Sequence, residues 1–514
     1  MNRRRLPIGI QNFREIREEG HYYVDKTAFA RRLAEEGKHY FLSRPRRFGK
    51  SLFLDTLKEL FEGNEPLFRG LAIHGAWDWS ARHPVVRFSF GSGGFRDPDS
   101  VRASVSEQLA RAERRAGLDP HYETTSGRLG ALVEALAEQS GHRVVVLVDE
   151  YDKPILDALG TPEVARANRD FLRGLYGAVK EFDAHIRMSF FTGVSKFTKV
   201  SVFSELNNLI DLTLERPYGA ICGYREADLD SVFAPELPGL DRELIREWYD
   251  GYNWRGERMY NPFDILLLFR KREFKAHWFE TGSPAFLIQK MLERRVLSVD
   301  LEAMHGEDEL LSEFDVDEMA TEALLFQTGY LTITGEEDLG GEPHYRLGYP
   351  NREVRQGLNR RLLGAMAPAE SRRLLPSLRL RGALEASDFD AVEGLFRAFF
   401  AGIPYEWHTR NPIARYEGYY ASVFYSHFAA AGLDVRVDDS SSRGRVDMAV
   451  RFEGSVFLFE FKVVEEKPEG TALRQLRARG YADKYRHLRQ PIHLVGVEFG
   501  RAARNIVAFE VEAA

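Results

Sequence analysis

A single cysteine, Cys222, stands in a chain of 514 residues, which excludes a disulfide framework and any multi-cysteine zinc site. The 14 histidines are scattered, with neither an H-x-x-H nor an H-E-x-x-H pair, so the usual zinc-hydrolase arrangements are excluded too. No run comes near the roughly 18 consecutive apolar residues that a membrane helix requires. The basic start, Arg3-Arg4-Arg5, leads into Leu6-Pro7-Ile8-Gly9-Ile10, too short and broken for the core of a secretory signal. Positive charge is not in excess either, with 71 Lys and Arg against 78 Asp and Glu, a net charge of −7. Without a global basic field, any binding of nucleic acid must use local patches. Neither a nucleophilic triad nor a redox motif is visible. The expectation is a cytoplasmic protein with no membrane partner.

The length exceeds what one hydrophobic core usually organises, and two to four domains are expected. Through residue 215, short apolar runs alternate with helical patterns, as in an α/β layer fold. His39–Leu42, Val85–Phe90, Val144–Val148 and Ile186–Phe191 read as strands; Val101–Ala116 reads as a helix. From 216 to 387 the pattern is mostly helical, with a small helix-plus-wing unit over Leu324–Thr334 and Tyr345–Leu347. From 388 to 514 helices give way to strands at Val446–Phe452, Val456–Phe461 and Ile492–Val497, with an Arg-rich helix before the last. Three domains are therefore expected, with boundaries at 215/216 and 387/388.

Gly49-Lys50-Ser51 follows the first strand and opens a helical pattern. A loop that cradles phosphate needs that order: backbone N–H groups around the anion, Lys50 on the β and γ oxygens, and Ser51 on Mg²⁺. The first glycine of the usual loop is missing, and Arg44 holds its place. A helix start with a coincidental lysine is the competing reading. Against it, the buried run Val144–Val148 delivers Asp149 to the surroundings of a metal, and Glu150 can orient or deprotonate the attacking water.

Near the C-terminus, Glu460 and Lys462 sit at i and i+2 of a strand and so share one face. Asp447 lies 13 residues earlier on the preceding strand, within reach of the same metal. Phosphodiester cleavage needs carboxylates that hold Mg²⁺ and gains from a nearby cation. Asp447, Glu460 and Lys462 resemble the D-x(n)-E-x-K core of PD-(D/E)XK nucleases, and Glu417, on the helix with Tyr416 and Tyr420, is the expected additional acid. E-x-K alone also describes an exposed strand of alternating charge. The apolar Phe457-Leu458-Phe459 before it argues instead for a charge emerging from a buried strand, which needs a partner. Thr471–Arg489 carries six Arg or Lys against Asp483, and Arg474 is expected to face phosphate. A solvated amphipathic face is the alternative.

Longer stretches carry a family resemblance. Leu6–Ile10 with Phe13, Tyr22–Thr27, Arg44–Ser51 and Asp149-Glu150-Tyr151-Asp152 resemble the bacterial and archaeal AAA-ATPase-like family. Thr192–Lys196, Phe203–Asn208 (including Glu205 and Asn207), Trp248–Tyr252 and Tyr260-Asn261-Pro262 continue it, and members commonly end in a PD-(D/E)XK nuclease-like domain. The resemblance implies an α/β fold: an N-terminal P-loop NTPase with a parallel sheet, a helical middle region and a C-terminal α/β nuclease-like domain. It assigns Lys50 and Ser51 to phosphate and Mg²⁺, Asp149 and Glu150 to hydrolysis, Thr192 to sensing, and the segment with Tyr23 to the base. Arg46 and Arg47 would contact the γ-phosphate or, in a homo-oligomer, a neighbour's nucleotide; solvated loop charges are the alternative. Gln475 and Tyr481 match positions the family carries on the Arg-rich helix; with Arg474 they are expected at the nucleic acid, Gln475 orienting the substrate or the lysine. Trp248–Trp254 is expected to pack the helical region on the ATPase core rather than to stack bases.

The function expected is ATP hydrolysis with Mg²⁺, gating a Mg²⁺-dependent cut in nucleic acid, DNA ahead of RNA. The alternative is a nucleotide-dependent switch whose C-terminal domain binds nucleic acid or protein without cleaving.

Overall fold

In the computed structural model, the described residues are 3–119, 122–196, 202–204, 206, 208–279, 285–294, 296, 298–302, 304–307, 320–366, 375–403, 417–441 and 444–514. Tyr416, Glu205 and Asn207, which figure in the motifs above, lie outside them. By its contacts the chain divides into two units, Met1–Gly282 with Met304–Asn351, and Ser283–Ala303 with Arg352–Ala514. The boundaries expected at 215/216 and 387/388 each fall inside one of these units. Among the described residues no helix is long and apolar enough to cross a membrane.

The first unit is built on a parallel sheet of β1 (His39–Ser43), β2 (Val85–Ser89), β3 (Val144–Asp149), β4 (Ile186–Gly193) and β5 (Ile210–Asp211), in the order β2-β3-β4-β1-β5. Every residue of β1 and β3 is buried, which explains their unbroken apolar runs: both faces of the sheet are covered. Helices α1 (Lys50–Phe61), α2 (Pro98–Arg115), α3 (Thr125–Ser140) and α4 (Pro162–Glu181) supply that cover. The pairing Ser43↔Gly193 between β1 and β4, and Val148↔Phe191 between β3 and β4, aligns the carboxyl ends of three strands. That edge is where parallel α/β sheets bind ligands.

Helix α5 (Pro262–Lys271) joins a cluster with Tyr22, Leu229, Phe233, Ile245 and Tyr249. The expected helix-plus-wing is present as α6 (Thr321–Gln327) with the hairpin β7 (Thr332–Leu339) and β8 (Glu342–Gly348), and β6 (His305–Glu307) pairs with β8. The aromatic stretch packs as expected. Tyr252 and Trp254 set their rings edge-on to Phe48 of the Arg44–Ser51 loop, with centroids 4.8 and 5.1 Å away.

The second unit carries helix α7 (Glu417–Ala430) and a five-stranded sheet of β9 (Asp434–Ser441), β10 (Gly444–Phe452), β11 (Ser455–Val464), β12 (Ile492–Gly500) and β13 (Asn505–Ala513). The order β13-β12-β11-β10-β9 is sequential, with β11 and β12 parallel and the other pairs antiparallel. Helix α8 (Thr471–Arg479) forms the crossover between β11 and β12. It lies against β12 at Gly496, where a Cβ would fall 2.5 Å from the Leu473 backbone nitrogen. The helix expected through Arg489 stops at Gly480, whose φ of 58° leaves the helical region, and residues 481–488 form two short 3-10 turns.

Candidate active sites

At the first site, β1 ends in the Arg44–Gly49 loop and Gly49, with φ of 94°, turns the chain into α1. That left-handed conformation is open to glycine at little cost. Lys50 is buried in the first turn, and its Nζ donates to the carbonyls of Arg44 at 2.8 Å and Pro45 at 3.0 Å. Burial holds the ammonium below its ordinary pKa, while Asp152, Glu150 and Asp149 oppose that shift. Three carboxylates thus offset the burial of the Lys50 ammonium.

Asp149 ends β3 almost fully buried, and its two oxygens are separately held. Oδ1 accepts from Thr192 Oγ1 at 2.9 Å, and Oδ2 lies 3.5 Å from an Arg87 guanidinium nitrogen. Arg87 is itself fixed by Asp55 of α1 at 2.8 Å. Ser51 follows Lys50, half-buried in the first turn of α1. Glu150 adopts φ of 53°, an uncommon backbone for a carboxylate residue. Burial raises its pKa, with Lys50 opposing. A raised value makes Glu150 a better proton acceptor than an ordinary carboxylate once ionised.

Tyr23 lines a cavity of about 60 Å³ with Phe48, Gly49, Leu52, Cys222 and Tyr224, and its hydroxyl lies 3.4 Å from Thr56 Oγ1. The loop and the N-terminal segment therefore share one pocket. Arg46 and Arg47 are both exposed. The Arg47 guanidinium sits 4.9 Å from the Phe263 ring centroid, and the Arg46 carbonyl accepts from Trp278 Nε1 at 3.1 Å.

Three groups here escaped sequence reading. Arg87 is legible in the sequence only as part of the strand over Val85–Phe90. Asp152 was visible only as part of a motif; it is buried and accepts from the backbone nitrogens of Val194 at 3.0 Å and Ser195 at 2.7 Å, fixing the turn after β4. Arg44, in the place of the missing glycine, is fully buried and donates to the carbonyls of Ser43, Thr213 and Tyr218.

At the second site, β10 and β11 form an antiparallel hairpin, so Asp447 stands opposite the Glu460–Phe461 stretch. Asp447 Oδ2 accepts from the Phe461 backbone nitrogen at 2.8 Å. Lys462 Nζ lies 3.0 Å from Glu460 Oε1 and 3.5 Å from Glu417 at the start of α7. Gln475 of α8 donates to the same Glu460 Oε1. Glu460 Oε2 is buried and, among the described residues, accepts no hydrogen bond. Burial, and then Asp447, push the Glu460 carboxyl up to about 7. Burial also raises Asp447, and Lys462 is raised by its acid neighbours against the effect of burial.

An orphaned carboxylate oxygen beside a second carboxylate is a hard donor set, and it fits a divalent cation such as Mg²⁺. Among the described residues no group of three His, Cys, Asp or Glu side chains is already closed around a metal position. Two carboxylates are nonetheless what Mg²⁺ commonly takes from protein, with water and substrate phosphate completing its shell.

The basic stretch after Gly470 is largely paired within the unit: Arg477 with Glu512, Lys484 with Asp439, Arg486 with Asp483. Arg474 is exposed, while Tyr481 is buried in an apolar cluster with Leu473, Leu476 and Tyr485. Glu498 gave no signal in the sequence, sitting inside the apolar run of β12. Its buried carboxylate accepts from the backbone nitrogens of Glu469 at 2.6 Å, Thr471 at 2.5 Å and Ala472 at 3.3 Å, and so fixes the N-terminus of α8.

Comparison with known proteins covers both sites. Residues 7–203 match the family model described as "Predicted AAA-ATPase", and residues 415–509 match the PD-(D/E)XK nuclease superfamily. A protein of Azotobacter chroococcum mcd 1, named "Uncharacterized protein in vnfD 5'region", is 58% identical over 513 residues, covering 100% of this chain and 99% of the relative. The first match spans the loop, Asp149 and Thr192; the second spans Glu417, Asp447, Glu460, Lys462 and Gln475. With both site geometries inside the matched segments, and a relative alike from end to end, the chain belongs to the AAA-ATPase-like family and carries a C-terminal PD-(D/E)XK nuclease superfamily domain.

Proposed function

We propose that the chain hydrolyses ATP with Mg²⁺ at the β1–α1 loop, cuts nucleic acid with Mg²⁺ at the β10–β11 hairpin, and lets nucleotide state gate the cut. DNA is the expected substrate ahead of RNA, and the cytoplasm, where a lone buried Cys222 stays reduced, is the expected compartment. The observation that carries the reading is Glu460 Oε2, a buried carboxylate oxygen that accepts no hydrogen bond among the described residues, in a hairpin shared with Asp447 and Lys462.

At the first site Lys50 exchanges two loop carbonyls for phosphate oxygens. Ser51 and Asp149 hold the metal, and Thr192 keeps Asp149 in place. Glu150 takes the proton of the attacking water. Arg46 and Arg47 reach the γ-phosphate of the same chain or of a neighbour in a homo-oligomer, and Tyr23 lines the wall beside the base. At the second site Asp447 and Glu460 hold the metal with Glu417 at the rim. A bound Mg²⁺ supplies charge neutralisation on the scissile phosphate and an acidified water. Lys462 stabilises the charge that develops on phosphate, Gln475 fixes the orientation of Glu460, and Arg474 faces the backbone of the strand, with Tyr481 supporting the helix behind them.

The test is a nuclease assay on duplex DNA, single-stranded DNA and RNA, with and without ATP, using Lys50→Ala and Lys462→Ala chains. Loss of cutting in both supports gating. Loss only in Lys462→Ala leaves two independent activities, and cutting that survives Lys462→Ala removes the nuclease reading.

A further inference from the structure

The basic run at the start of the chain serves neither site. Arg3, Arg4 and Arg5 line one open cleft of about 490 Å³ together with Arg270 from the last turn of α5. Leu6, Ile8 and Phe269 contribute its apolar wall, and among the described residues Glu236 is its one carboxylate. Among the described residues, four arginines and one acid therefore line the cleft, on a chain whose net charge is −7.

That acid is already engaged. Glu236 is buried, accepts from the Tyr22 hydroxyl at 3.0 Å, and lies 3.5 Å from Arg3 Nε. Arg5 pairs with Glu19 at 3.2 Å, but both side chains are largely in solvent, where such a pair contributes little. Arg4 and Arg270 are exposed, and among the described residues neither is held in an ion pair. Like charges gathered in this way repel one another unless an anion lies among them. The opening is wide, and its cations come from an extended segment and a helix end. A long polyanion can lie across both, whereas a small anion would need an enclosed set of converging donors.

We propose that this cleft binds the phosphodiester backbone of a nucleic acid. Guanidinium is the side chain best matched to phosphate oxygens, and contacts of this kind position a strand without reading its sequence. The inference concerns binding alone and stands whether or not the β10–β11 site cuts.

The experiment uses the full chain carrying Lys462→Ala, so that no cleavage intervenes. Affinity for fluorescein-labelled duplex DNA, and separately for labelled RNA, is measured against salt concentration. Adding Arg4→Gln and Arg270→Gln should lower the slope of log affinity against log salt by about 2, one for each lost phosphate contact. Arg4→Lys with Arg270→Lys should keep most of the slope. A change on DNA alone identifies the duplex as the ligand, and a change on both identifies the backbone they share. An unaltered slope on both, in a chain whose ATP binding and melting temperature are unchanged, overturns the proposal. So does the absence of any binding by the parent chain.

Discussion

Lys462 Nζ stands 3.0 Å from Glu460 Oε1, on one face of β11. Gln475 donates to that same oxygen, so ammonium and amide share Oε1 and, among the described residues, Oε2 accepts no hydrogen bond. The carboxylate is thereby oriented before any ligand arrives. Lys462→Ala should lower cleavage by about 10²–10³-fold, the usual loss for a group aimed at developing charge. ATP hydrolysis, measured on the same preparation, should be unchanged. An undiminished cutting rate would sink the assignment of Lys462.

Glu460 also sets a pH dependence. Burial and the neighbouring Asp447 raise its carboxyl to about 7. Between the ordinary carboxylate range and about 7, the unfolded chain has lost this proton while the folded one keeps it. The metal-free protein should therefore lose stability as pH rises through that window, and level off above it. Metal binding runs the other way, because only the ionised group holds a cation. Apparent Mg²⁺ affinity should rise about tenfold per pH unit below 7 and flatten above, the slope of one released proton. Calorimetric titration with Mg²⁺ at several pH values checks this, with Glu460→Gln as the control. A pH-independent affinity in the parent chain would contradict it.

Glu498 acts at one remove. Its carboxylate holds three backbone nitrogens and the Thr471 hydroxyl at the start of α8, the helix that carries Gln475. Those bonds hold its pKa below the ordinary value against the effect of burial. The stability they supply is present above the unfolded carboxylate range and is lost as pH falls through the folded value. Glu498→Ala should cost about 1–3 kcal/mol, the penalty for leaving buried donors unmet. It should also loosen Gln475 and speed amide hydrogen exchange over residues 469–480. Glu498→Gln, which keeps one acceptor, should restore part of both. Unchanged exchange in Glu498→Ala would show that α8 is held by its packing at Gly496 alone.

The legible parts of this chain are those whose signal is local. β1, β3 and β11 announce themselves as apolar runs because both of their faces are covered. Glu460 and Lys462 are readable as a pair because strand alternation alone puts them on one face. Arg87 and Glu498 were not, since each acquires its partner across the sheet or crossover: Asp149 lies 62 residues from Arg87, and Thr471 lies 27 from Glu498. The end of α8 is not legible, because the apolar stripe Leu473, Leu476, Tyr481, Tyr485 continues past it. Burial of that stripe survives a break at Gly480, so periodicity does not reveal the break. The division of the middle region between two units is likewise a property of contacts, not of composition.

Arg44 stands where the usual loop has its first glycine and holds the Arg44–Gly49 loop from within. Its side chain is fully buried and donates to Ser43, Thr213 and Tyr218 carbonyls at 2.8–3.1 Å, with the guanidinium 4.3 Å from the Trp254 ring centroid. Burial pulls its pKa down to about 10, so the cation persists at neutral pH. Its own carbonyl takes the Lys50 ammonium at 2.8 Å. One residue thus anchors the loop to the segments after β5 while its backbone carbonyl holds the Lys50 ammonium. Arg44→Gly would restore the common loop sequence and should nevertheless weaken the protein. Three carbonyls would lose a charged donor, a loss of about 3 kcal/mol or more, seen as a lower melting temperature and weaker ATP binding. Arg44→Lys should recover only a fraction, because an ammonium lacks the planar fork that spans all three carbonyls and stacks on indole. If Arg44→Gly instead melts and binds ATP like the parent, the anchoring role falls, and the arginine is a tolerated replacement with no part in shaping the loop.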